Sequence, residues 1–559
     1  MIHDLSAGTT RVVFEGKRVL PTGVAWAPDS KGFYVTHSYS SHPTYFTATI
    51  ELLQWVDAAS GAAAAVDLQW KNGLGTKAVL PTADGFLALL ADGIVHRPAR
   101  YVRAGGGFTR QDLAGAHVPH LFDWTIGRDG TTVVYDHSTA TQPPQLHRAR
   151  LEGARLADET VLTTLNPGHA KKPVHRMEVL RWKGARDEEV TGLLYYPLGW
   201  KEGTKHPLFL SIHGGPAGGT DMDVWSQGWD YPKLLLAQKG AFLLEVNYHG
   251  SSNFGLDWVE SICCGNYYDL ERVDLEKGVD AVIARGLADP DRLATMGWSN
   301  GSILTTELVT RSRRYKVASA GAGDVEWISD WGNVDFGASF DNYYLGKAPY
   351  EDPELYVRKS PYFRLKDVTT PMIVYTGTED RNVPPSQSWS HFRVMQQVGK
   401  TPVRFVTFPG EPHGLQKYAH QKRKVEEDLA WFDRYLFGTP AGDAAVKDGS
   451  PLARALERKG FARVGTSYGR TVKGLLVPET VEHEGLRLSR FEVTRAQYAA
   501  FDRAYRFDPA TANWPASGIA YEKAAAYAAW LARATGEPWR LPKAAEVKAL
   551  YAAAGDDEN

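Results

Sequence analysis

The sequence predicts a multidomain chain: a β-rich part first, then a doubly wound α/β domain, then a short α+β segment. Three observations lead to this fold class. Short β segments recur over residues 1–172 at a spacing of about 40 to 55 residues. Apolar strands then alternate with amphipathic helices over residues 173–438, and a stretch of turn-forming residues, 439–450, separates a final segment, 451–559.

The N-terminal β segments follow one pattern, in which two strands flank a turn. The pattern starts at Gly23, returns at Lys77 and comes again at Leu121. A period of this length is typical of propeller blades with four strands each, whereas a β-sandwich, the alternative, would space its strands evenly without a longer period. Only about three blades fit, fewer than the four to eight that normally close a propeller. We therefore predict a partial β-propeller over residues 1–172.

The middle of the chain alternates strand and helix. Apolar strands begin at Val190, Pro207 and Ala241, and Asp269–Ala284 has apolar residues at helical spacing. A further amphipathic helix is expected over Lys422–Leu436. This alternation predicts a mostly parallel sheet covered by helices on both faces.

The most informative stretch is Gly297-Trp-Ser-Asn-Gly301, which lies where an apolar strand turns sharply into a helix. Side chains in place of the two glycines would collide in so tight a turn. Ser299 is then exposed at the carboxyl end of its strand, as a nucleophile requires. The motif alone is weak, because a glycine-rich turn in an ordinary α/β domain can produce it.

A serine hydroxyl needs a base, and the base needs an orienting partner. Asp380 follows one downstream apolar strand and His413 follows the next, which gives the chain order Ser, Asp, His of α/β-hydrolases. Upstream, the strand from Pro207 runs into a glycine pair, as an oxyanion loop would. His413 alone would more often be a surface histidine, but the four elements in this order predict a serine hydrolase.

Several motifs together resemble the prolyl oligopeptidase family, especially its acylaminoacyl-peptidase and dipeptidyl-peptidase branches, over roughly residues 176–438. The resemblance implies that Ser299 is the nucleophile, His413 the general base and Asp380 its orienter. It also implies an oxyanion hole made by the backbone N–H groups of Asn300 and Gly215. The matching stretches include His213-Gly-Gly-Pro, Asn247-Tyr-His-Gly-Ser-Ser, Gly297-Trp-Ser-Asn-Gly-Ser, Asp352-Pro-Glu-Leu-Tyr, Gly377-Thr-Glu-Asp-Arg-Asn-Val and Glu411-Pro-His-Gly.

The same resemblance implies a substrate pocket. Asn382 matches a position that touches a substrate carbonyl in some relatives, and Trp331 and Val383 match apolar pocket positions. Two departures stand out. The residue after the nucleophile is usually tyrosine in the peptidase branches and is Asn300 here, and the family's Asn-Tyr-Arg-Gly has His249 in place of arginine.

The C-terminal segment resembles the formylglycine-generating, sulfatase-modifying-factor fold. The stretches that carry the resemblance start at Leu486 and Arg540, with a helix from Tyr521 to Ala534 between them. The catalytic cysteines of that family have no counterpart. We therefore expect a truncated binding or packing module rather than a second enzyme.

Composition excludes several classes of protein. Lys and Arg total 63 and Asp and Glu total 65, so no net charge favours nucleic acid or an anionic membrane. Cys263 and Cys264 are the only cysteines, and neighbours rarely pair, so no disulfide is expected. Neither a signal peptide nor an apolar run of about 18 residues is visible, which predicts a cytoplasmic protein.

The sequence thus predicts a serine peptidase of the prolyl oligopeptidase type that cleaves short peptides through an acyl-enzyme. No metal or organic cofactor is implied, and neither nucleic acid nor membrane is an expected partner, whereas a homo-oligomer is left open. Two alternatives stay open as well: an esterase on the same triad, and a catalytically silent scaffold.

Overall fold

The computed structural model describes residues 1–168, 172, 175–226, 228–438, 463–464, 467–483, 485–507 and 511–547. The chain forms two compact units, Met1–Phe437 and Gly438–Asn559. The linker predicted over 439–450, and residues 451–462 after it, lie outside the described residues.

The first unit begins with a hairpin of β1 (Ile2–Asp4) and β2 (Thr9–Arg11), followed by three antiparallel meanders of four strands. One pairing, Glu51 opposite Leu74, joins the first two meanders into a sheet of eight strands, and the third is a separate sheet. The twelve strands are β3 Leu20–Trp26, β4 Gly32–Tyr39, β5 Ile50–Asp57, β6 Ala63–Ala65, β7 Leu74–Thr82, β8 Gly85–Asp92, β9 Val95–Ala104, β10 Gly107–Asp112, β11 Leu121–Ile126, β12 Thr132–Thr139, β13 Gln142–Glu152 and β14 Arg155–Val161.

The second meander packs between the other two. Alternate side chains of a strand point to opposite faces of its sheet. On β8, Phe86 and Ala88 accordingly join a core with Tyr34 of the first meander. Leu87, between them in sequence, joins a core with Trp124 of the third meander. Because β8 is buried on both faces, its sequence is a continuous hydrophobic run and does not alternate between apolar and polar residues.

A mixed sheet of eight strands follows, and it carries the candidate site. The strand order is β15-β16-β18-β17-β19-β20-β21-β22, in which β15, β16 and β18 pair antiparallel and all later pairs are parallel. The strands are β15 Met177–Lys183, β16 Glu189–Tyr195, β17 His206–Ile212, β18 Phe242–Asn247, β19 Ala288–Trp298, β20 Tyr315–Gly321, β21 Met372–Gly377 and β22 Val403–Phe408.

Helices cover both faces of this sheet. Leu210 and Leu244 point to one face, where they pack with Leu304 of a helix that follows β19. Phe209 points to the other face and packs with Phe432 of a C-terminal helix. The helices of this unit are α1 Lys233–Gln238, α2 Leu256–Val259, α3 Glu271–Ala284, α4 Asn300–Arg311, α5 Trp327–Asn333, α6 Ser339–Leu345, α7 Pro353–Lys359, α8 Pro385–Val398 and α9 Tyr418–Phe432, with 3₁₀ turns at Val118–His120, Ala185–Asp187 and Pro361–Asp367.

The helix expected over Lys422–Leu436 differs in its bounds. The α-helix starts four residues earlier, at Tyr418, and ends at Phe432, after which Asp433–Phe437 forms one wider π turn. The apolar residues Trp431, Phe432 and Leu436 all lie in the core on one face of the sheet. The apolar pattern therefore continues through the change of helix type, which is why periodicity did not reveal it.

The described residues of the second unit form three short hairpins and two helices. Tyr498 and Leu531, one from each helix, are buried together with Val477 of a hairpin. The helix predicted from Tyr521 to Ala534 is observed as Tyr521–Thr535. The strands are β23 Arg463–Val464, β24 Ser467–Tyr468, β25 Arg470–Val472, β26 Leu475–Val477, β27 Thr480–His483 and β28 Leu486–Ser489, and the helices are α10 Arg495–Ala499 and α11 Tyr521–Thr535.

The expectation about the cysteines is wrong, because Cys263 and Cys264 form a disulfide between neighbours in sequence. The pair lies in a loop whose backbone adopts an unusual conformation, with Cys264 at φ 62°. Sequence spacing alone could not show that this loop allows two adjacent sulfurs to meet. Among the described helices, none combines the length and the apolar character needed to cross a bilayer.

Candidate active site

Ser299 lies at the turn between β19 and α4, at the carboxyl edge of the parallel strands. Its backbone adopts φ 58° and ψ −128°, a conformation that non-glycine residues rarely adopt and that is common at functional sites. A Cβ at Gly301 would overlap the carbonyl oxygen of Ile212, and one at Gly297 would overlap the backbone of Gly301. Both glycines of the motif are therefore required by the close approach of α4 to β17 and β19.

Three residues predicted to work together are adjacent in the structure. His413 Nε2 lies 2.9 Å from Ser299 Oγ, and His413 Nδ1 lies 2.9 Å from Asp380 Oδ2. His413 is in the loop after β22, and Asp380 is in the loop after β21. Neighbouring parallel strands end at the same edge, which is why residues more than 110 positions apart can meet there.

The positions of Asp380 and His413 are fixed by further hydrogen bonds. Oδ1 of Asp380 accepts from the backbone N–H groups of Asn382 at 3.0 Å and Val383 at 2.9 Å, which leaves Oδ2 for the imidazole. The indole N–H of Trp298 donates to the carbonyl of His413 over 2.9 Å. The residue before the serine therefore holds the loop that carries the histidine.

Two backbone N–H groups are available beside the serine. Asn300 N–H opens α4, where the first N–H groups of a helix have no intrahelical acceptor and carry a partial positive charge. Gly215 lies in the loop after β17, at φ 118°. Among the described residues, neither N–H has a hydrogen-bond acceptor. Both residues line the same cavity as Ser299 and His413.

The side chain of Asn300 is buried, and two tyrosines hold it. Its oxygen accepts from Tyr267, and its Nδ2 donates to the Tyr248 hydroxyl over 2.9 Å. Tyr248 in turn donates to the carbonyl of His213 at 2.8 Å. This chain of hydrogen bonds connects the residue after the serine to the loop that carries Gly215. The amide of Asn300 is therefore part of a buried hydrogen-bond network rather than a free polar group.

His213 stiffens that loop. Its Nδ1 donates to the carbonyl of Gly214 over 2.6 Å, its Nε2 lies 2.9 Å from Ser251 Oγ, and its ring stacks on Tyr248 with centroids 4.4 Å apart. Burial lowers the pKa of His213 to about 4. The ring is therefore neutral at neutral pH.

A cavity of about 250 Å³ opens beside Ser299. Asn382 and Val383, both predicted for the substrate pocket, line it, and Thr47 of the first meander does as well. Trp331 is not part of the lining; its indole donates to Asn342 at 2.9 Å. The remaining side chains of the wall are mainly apolar: Ala217, Ile303, Phe336, Phe340 and Tyr344, together with Asp324.

A second and larger cavity, of about 500 Å³, lies on the other side of the loop after β17. Gly215 and Ala217 line both cavities, but neither Ser299 nor His413 lines the larger one. The larger cavity is rich in charged residues, with the buried ion pair of Lys233 and Glu245 at 2.6 Å in its wall. The smaller cavity is therefore the one that places a ligand beside the serine.

One buried carboxyl group, that of Asp324, lies in the wall of the smaller cavity, and other buried carboxyl groups are close to it. Burial raises the pKa of Asp324 to about 7, the hydrogen bond with Asp330 lowers it, and the charges of Asp341 and Asp380 raise it again. Burial likewise raises the pKa of Asp341 to about 9. Burial therefore brings the pKa of Asp324, in the cavity wall, close to neutral pH.

His249, where the family has arginine, is fully buried between two acids. Its Nδ1 lies 2.6 Å from Asp274 and its Nε2 2.7 Å from Glu188. Burial alone lowers the pKa of His249, but the hydrogen bonds and charges of Asp274 and Glu188 outweigh it, so the net pKa is raised.

Several site residues escaped the sequence reading. Tyr248 could have been found, because it directly follows the apolar strand β18 and so lies at the same edge of the sheet as Ser299. Asp324 could have been found in the same way, because it follows the apolar strand β20 by three residues, as Asp380 follows β21. Thr47 and Phe336 had no such signal, since they lie in loops. Only the fold brings them to the cavity.

Comparison with known proteins agrees with this geometry. Residues 229–439 match the model of the prolyl oligopeptidase family, and this stretch contains Ser299, Asp380 and His413. An uncharacterized peptidase, YuxL, of Bacillus subtilis is 30% identical over 251 residues, which cover 44% of this chain and 37% of that protein. Acylamino-acid-releasing enzyme 1 of Oryza sativa is 28% identical over 247 residues, 42% of this chain and 31% of the relative. The acylamino-acid-releasing enzyme of Sus scrofa is 27% identical over 339 residues, which cover 56% of this chain and 43% of that protein.

Solved structures are similar in fold. The acylaminoacyl peptidase of Pyrococcus horikoshii superposes with a TM-score of 0.61 at 21% identity, over 73% of this chain and 62% of that one. A puromycin-hydrolyzing peptidase of Mycobacterium tuberculosis superposes with a TM-score of 0.61 at 22% identity, over 75% of this chain and 62% of that one. The chain spans less than half the length of the curated relatives it matches. The family model and the relatives named here are those of peptidases and acylamino-acid-releasing enzymes.

Proposed function

We propose that the chain is a serine peptidase of the prolyl oligopeptidase type that cleaves short peptides through an acyl-enzyme. The observation that carries the proposal is the pair of 2.9 Å contacts from His413, one to Ser299 Oγ and one to Asp380. His413 would take the serine proton during attack on the peptide carbonyl and return it to the leaving amine. Asp380 would fix the imidazole tautomer and stabilise its charged form.

The oxyanion of the tetrahedral intermediate would be held by the backbone N–H groups of Asn300 and Gly215. Both groups lack an acceptor among the described residues, and one of them is at the positive end of α4. The hydrogen bonds from Asn300 through Tyr248 to His213 tie the two donors together. A donor pair that is fixed in advance stabilises developing charge without reorganising, which is the main requirement for this step.

The cavity of about 250 Å³ would bind the substrate side chain next to the bond that is cut. Its aromatic wall suits a large side chain, and Asn382 lies in the lining where it could contact a substrate carbonyl. Val383 contributes apolar surface to the same wall. The pocket role of Trp331 stays a prediction, because the indole is engaged by Asn342 outside the cavity lining.

The domain assignments are part of the same proposal. We assign the three meanders to a partial β-propeller of about three blades over residues 1–172. The mixed sheet and its helices would be an α/β-hydrolase domain over 173–438, with a linker at 439–450. The second unit would be a truncated formylglycine-generating-enzyme-like segment over 451–559. Cytoplasmic location and oligomeric state stay predictions.

A labelling experiment tests the core of the proposal. A fluorophosphonate reacts covalently with a serine activated by a neighbouring base, so it should label the purified chain once and block hydrolysis of a peptide anilide. Ser299→Ala should abolish both labelling and hydrolysis. Ser312→Ala, at the opposite end of α4, is the matched control and should leave both unchanged. A folded wild-type chain that resists the label would favour the silent scaffold.

A second measurement separates a peptidase from an esterase. Wild type is compared on a peptide anilide and on a short-chain acyl ester with the same side chain in the cavity. Amides are intrinsically harder to cleave, so an enzyme adapted to them should show measurable anilide turnover. Hydrolysis of the ester alone would replace the peptidase assignment with the esterase one while leaving the triad roles in place.

A further inference from the structure

We propose that the third meander binds a Zn²⁺ ion through His117, His137 and His147. One ligating nitrogen of each histidine lies within 4.8 Å of the other two. The ring of His117 is 4.1 Å from that of His137 and 4.5 Å from that of His147, measured between centroids. This cluster plays no part in the proposed peptide hydrolysis.

The fold explains why three histidines meet here. His147 on β13 pairs with Tyr135 on β12, and His137 lies two residues beyond Tyr135. Residues two apart on a strand share a face, so His137 and His147 are diagonal neighbours on the same face of the meander. His117 comes from the loop just before the 3₁₀ turn at Val118–His120 and closes over them.

The cluster contains a buried polar atom with no partner. The side chain of His147 belongs to a residue only 9% exposed, and its Nδ1 has no hydrogen-bond partner among the described residues. A buried nitrogen without a partner is costly, and the great majority of such groups in folded proteins are satisfied. An ion bound between the three rings would give the histidine nitrogens that face it a partner.

Neighbouring groups have the arrangement that supports a metal ligand. The Tyr135 hydroxyl lies 2.9 Å from His117 Nδ1, and Glu159 Oε2 lies 3.5 Å from the same nitrogen. A ligating histidine usually uses its second nitrogen for such contacts, which here leaves Nε2 of His117 for the ion. Oε1 of Glu159 accepts from the Ala116 N–H at 3.0 Å, which fixes the carboxylate beside the cluster.

The donor set favours Zn²⁺ over other common ions. Imidazole nitrogens suit Zn²⁺, whereas Ca²⁺ and Mg²⁺ prefer oxygen ligands. Tetrahedral Zn²⁺ with Zn–N bonds of about 2.1 Å requires nitrogens about 3.4 Å apart. The rings would therefore close by about 1.4 Å at most, which side-chain rotation can supply. A water molecule would complete the coordination. We assign the ion a structural role, since it would tie the loop of His117 to β12 and β13.

The test uses the full chain, purified without a metal-affinity tag and treated with a chelator. Titration calorimetry with Zn²⁺ should show one site with a Kd of about 1 µM or tighter, and Zn²⁺ should raise the Tm. His137→Gln combined with His147→Gln should weaken binding at least about 100-fold and remove the Tm shift. His3→Gln, an exposed histidine on β1, is the control and should bind as wild type does.

Wild-type affinity no greater than that of the double variant would overturn the proposal. If the double variant is not folded by circular dichroism, His117→Asn decides instead, because it changes a loop residue and leaves β12 and β13 intact. Unchanged Zn²⁺ affinity in folded His117→Asn would also overturn the proposal. Peptidase activity is not a readout here, so the result is independent of the function proposed for Ser299.

Discussion

Replacing Asp380 by asparagine should inactivate the enzyme without unfolding it. Two backbone N–H groups, from Asn382 and Val383, donate to Oδ1 of Asp380. In Asp380→Asn the amide oxygen will keep these donors, so the amide NH₂ will face Nδ1 of His413. Nδ1 must then accept a hydrogen bond, and the ring proton moves to Nε2. An Nε2–H that points at Ser299 Oγ cannot take the serine proton.

The expected size of the effect follows from this wrong tautomer. In the serine protease template, the same change lowers turnover by about 10⁴, which corresponds to about 5.4 kcal/mol of transition-state stabilisation. Stability should change little, because both N–H donors keep an acceptor and the buried charge is removed. We expect the Tm to stay within a few degrees of wild type.

The assay is kcat/KM on a fluorogenic peptide anilide, together with the rate of fluorophosphonate labelling. Glu379→Gln is the matched control, since Glu379 is the exposed acid next in sequence, and it should retain at least half of the wild-type kcat/KM. The reasoning is refuted if Asp380→Asn keeps more than about a tenth of wild-type activity, or if the control loses as much as the variant does.

Three further predictions concern packing, charge and stability. Gly301→Ala should lower the free energy of unfolding by about 1–3 kcal/mol and reduce activity, because the new methyl group overlaps the Ile212 carbonyl. Gly332→Ala is the control: a Cβ at Gly332 has open space, so chemical denaturation should show no change in stability. Two substrates that place either lysine or norleucine in the cavity should differ in their pH dependence, because an ionised Asp324 attracts the lysine. The ratio of their kcat/KM values, lysine over norleucine, should rise on the order of tenfold between pH 6 and 8 as Asp324 ionises. This ratio should not change with pH in Asp324→Asn, and a ratio that does not change in wild type would contradict the prediction. His249 has a raised pKa in the folded state, so its contribution to stability is present below the unfolded value of about 6.5 and is lost as the pH rises through the folded value. The difference in unfolding free energy between wild type and His249→Gln should therefore shrink from pH 6 to pH 9, and a difference that grows would contradict the pairing.

The nucleophile turn could be read from the sequence because its constraints are local. The glycines at 297 and 301 are required by atoms of the same turn and of the strand beside it, so the motif and the geometry imply each other. Asp380 and His413 were also accessible, because each directly follows an apolar strand and parallel strands end at one edge. The contacts that hold these residues, such as the Trp298 indole on the His413 carbonyl, depend on the path of a loop and left no pattern in the sequence.

The wall of the cavity shows where sequence reasoning stops. Ser299 is surrounded by side chains from the first meander, from the loop after β20 and from α6, and no spacing rule connects Thr47 with Asp324 or Phe340. Asn300 illustrates the same limit: the sequence shows a polar residue after the serine, but it does not show that the amide of this residue is hydrogen-bonded by two buried tyrosines. The acidic group in the cavity wall is instead Asp324, and its raised pKa follows from burial. Selectivity in this chain should therefore respond to substitution of Asp324 more strongly than to substitution of Trp331, although only Trp331 was suggested by the family pattern.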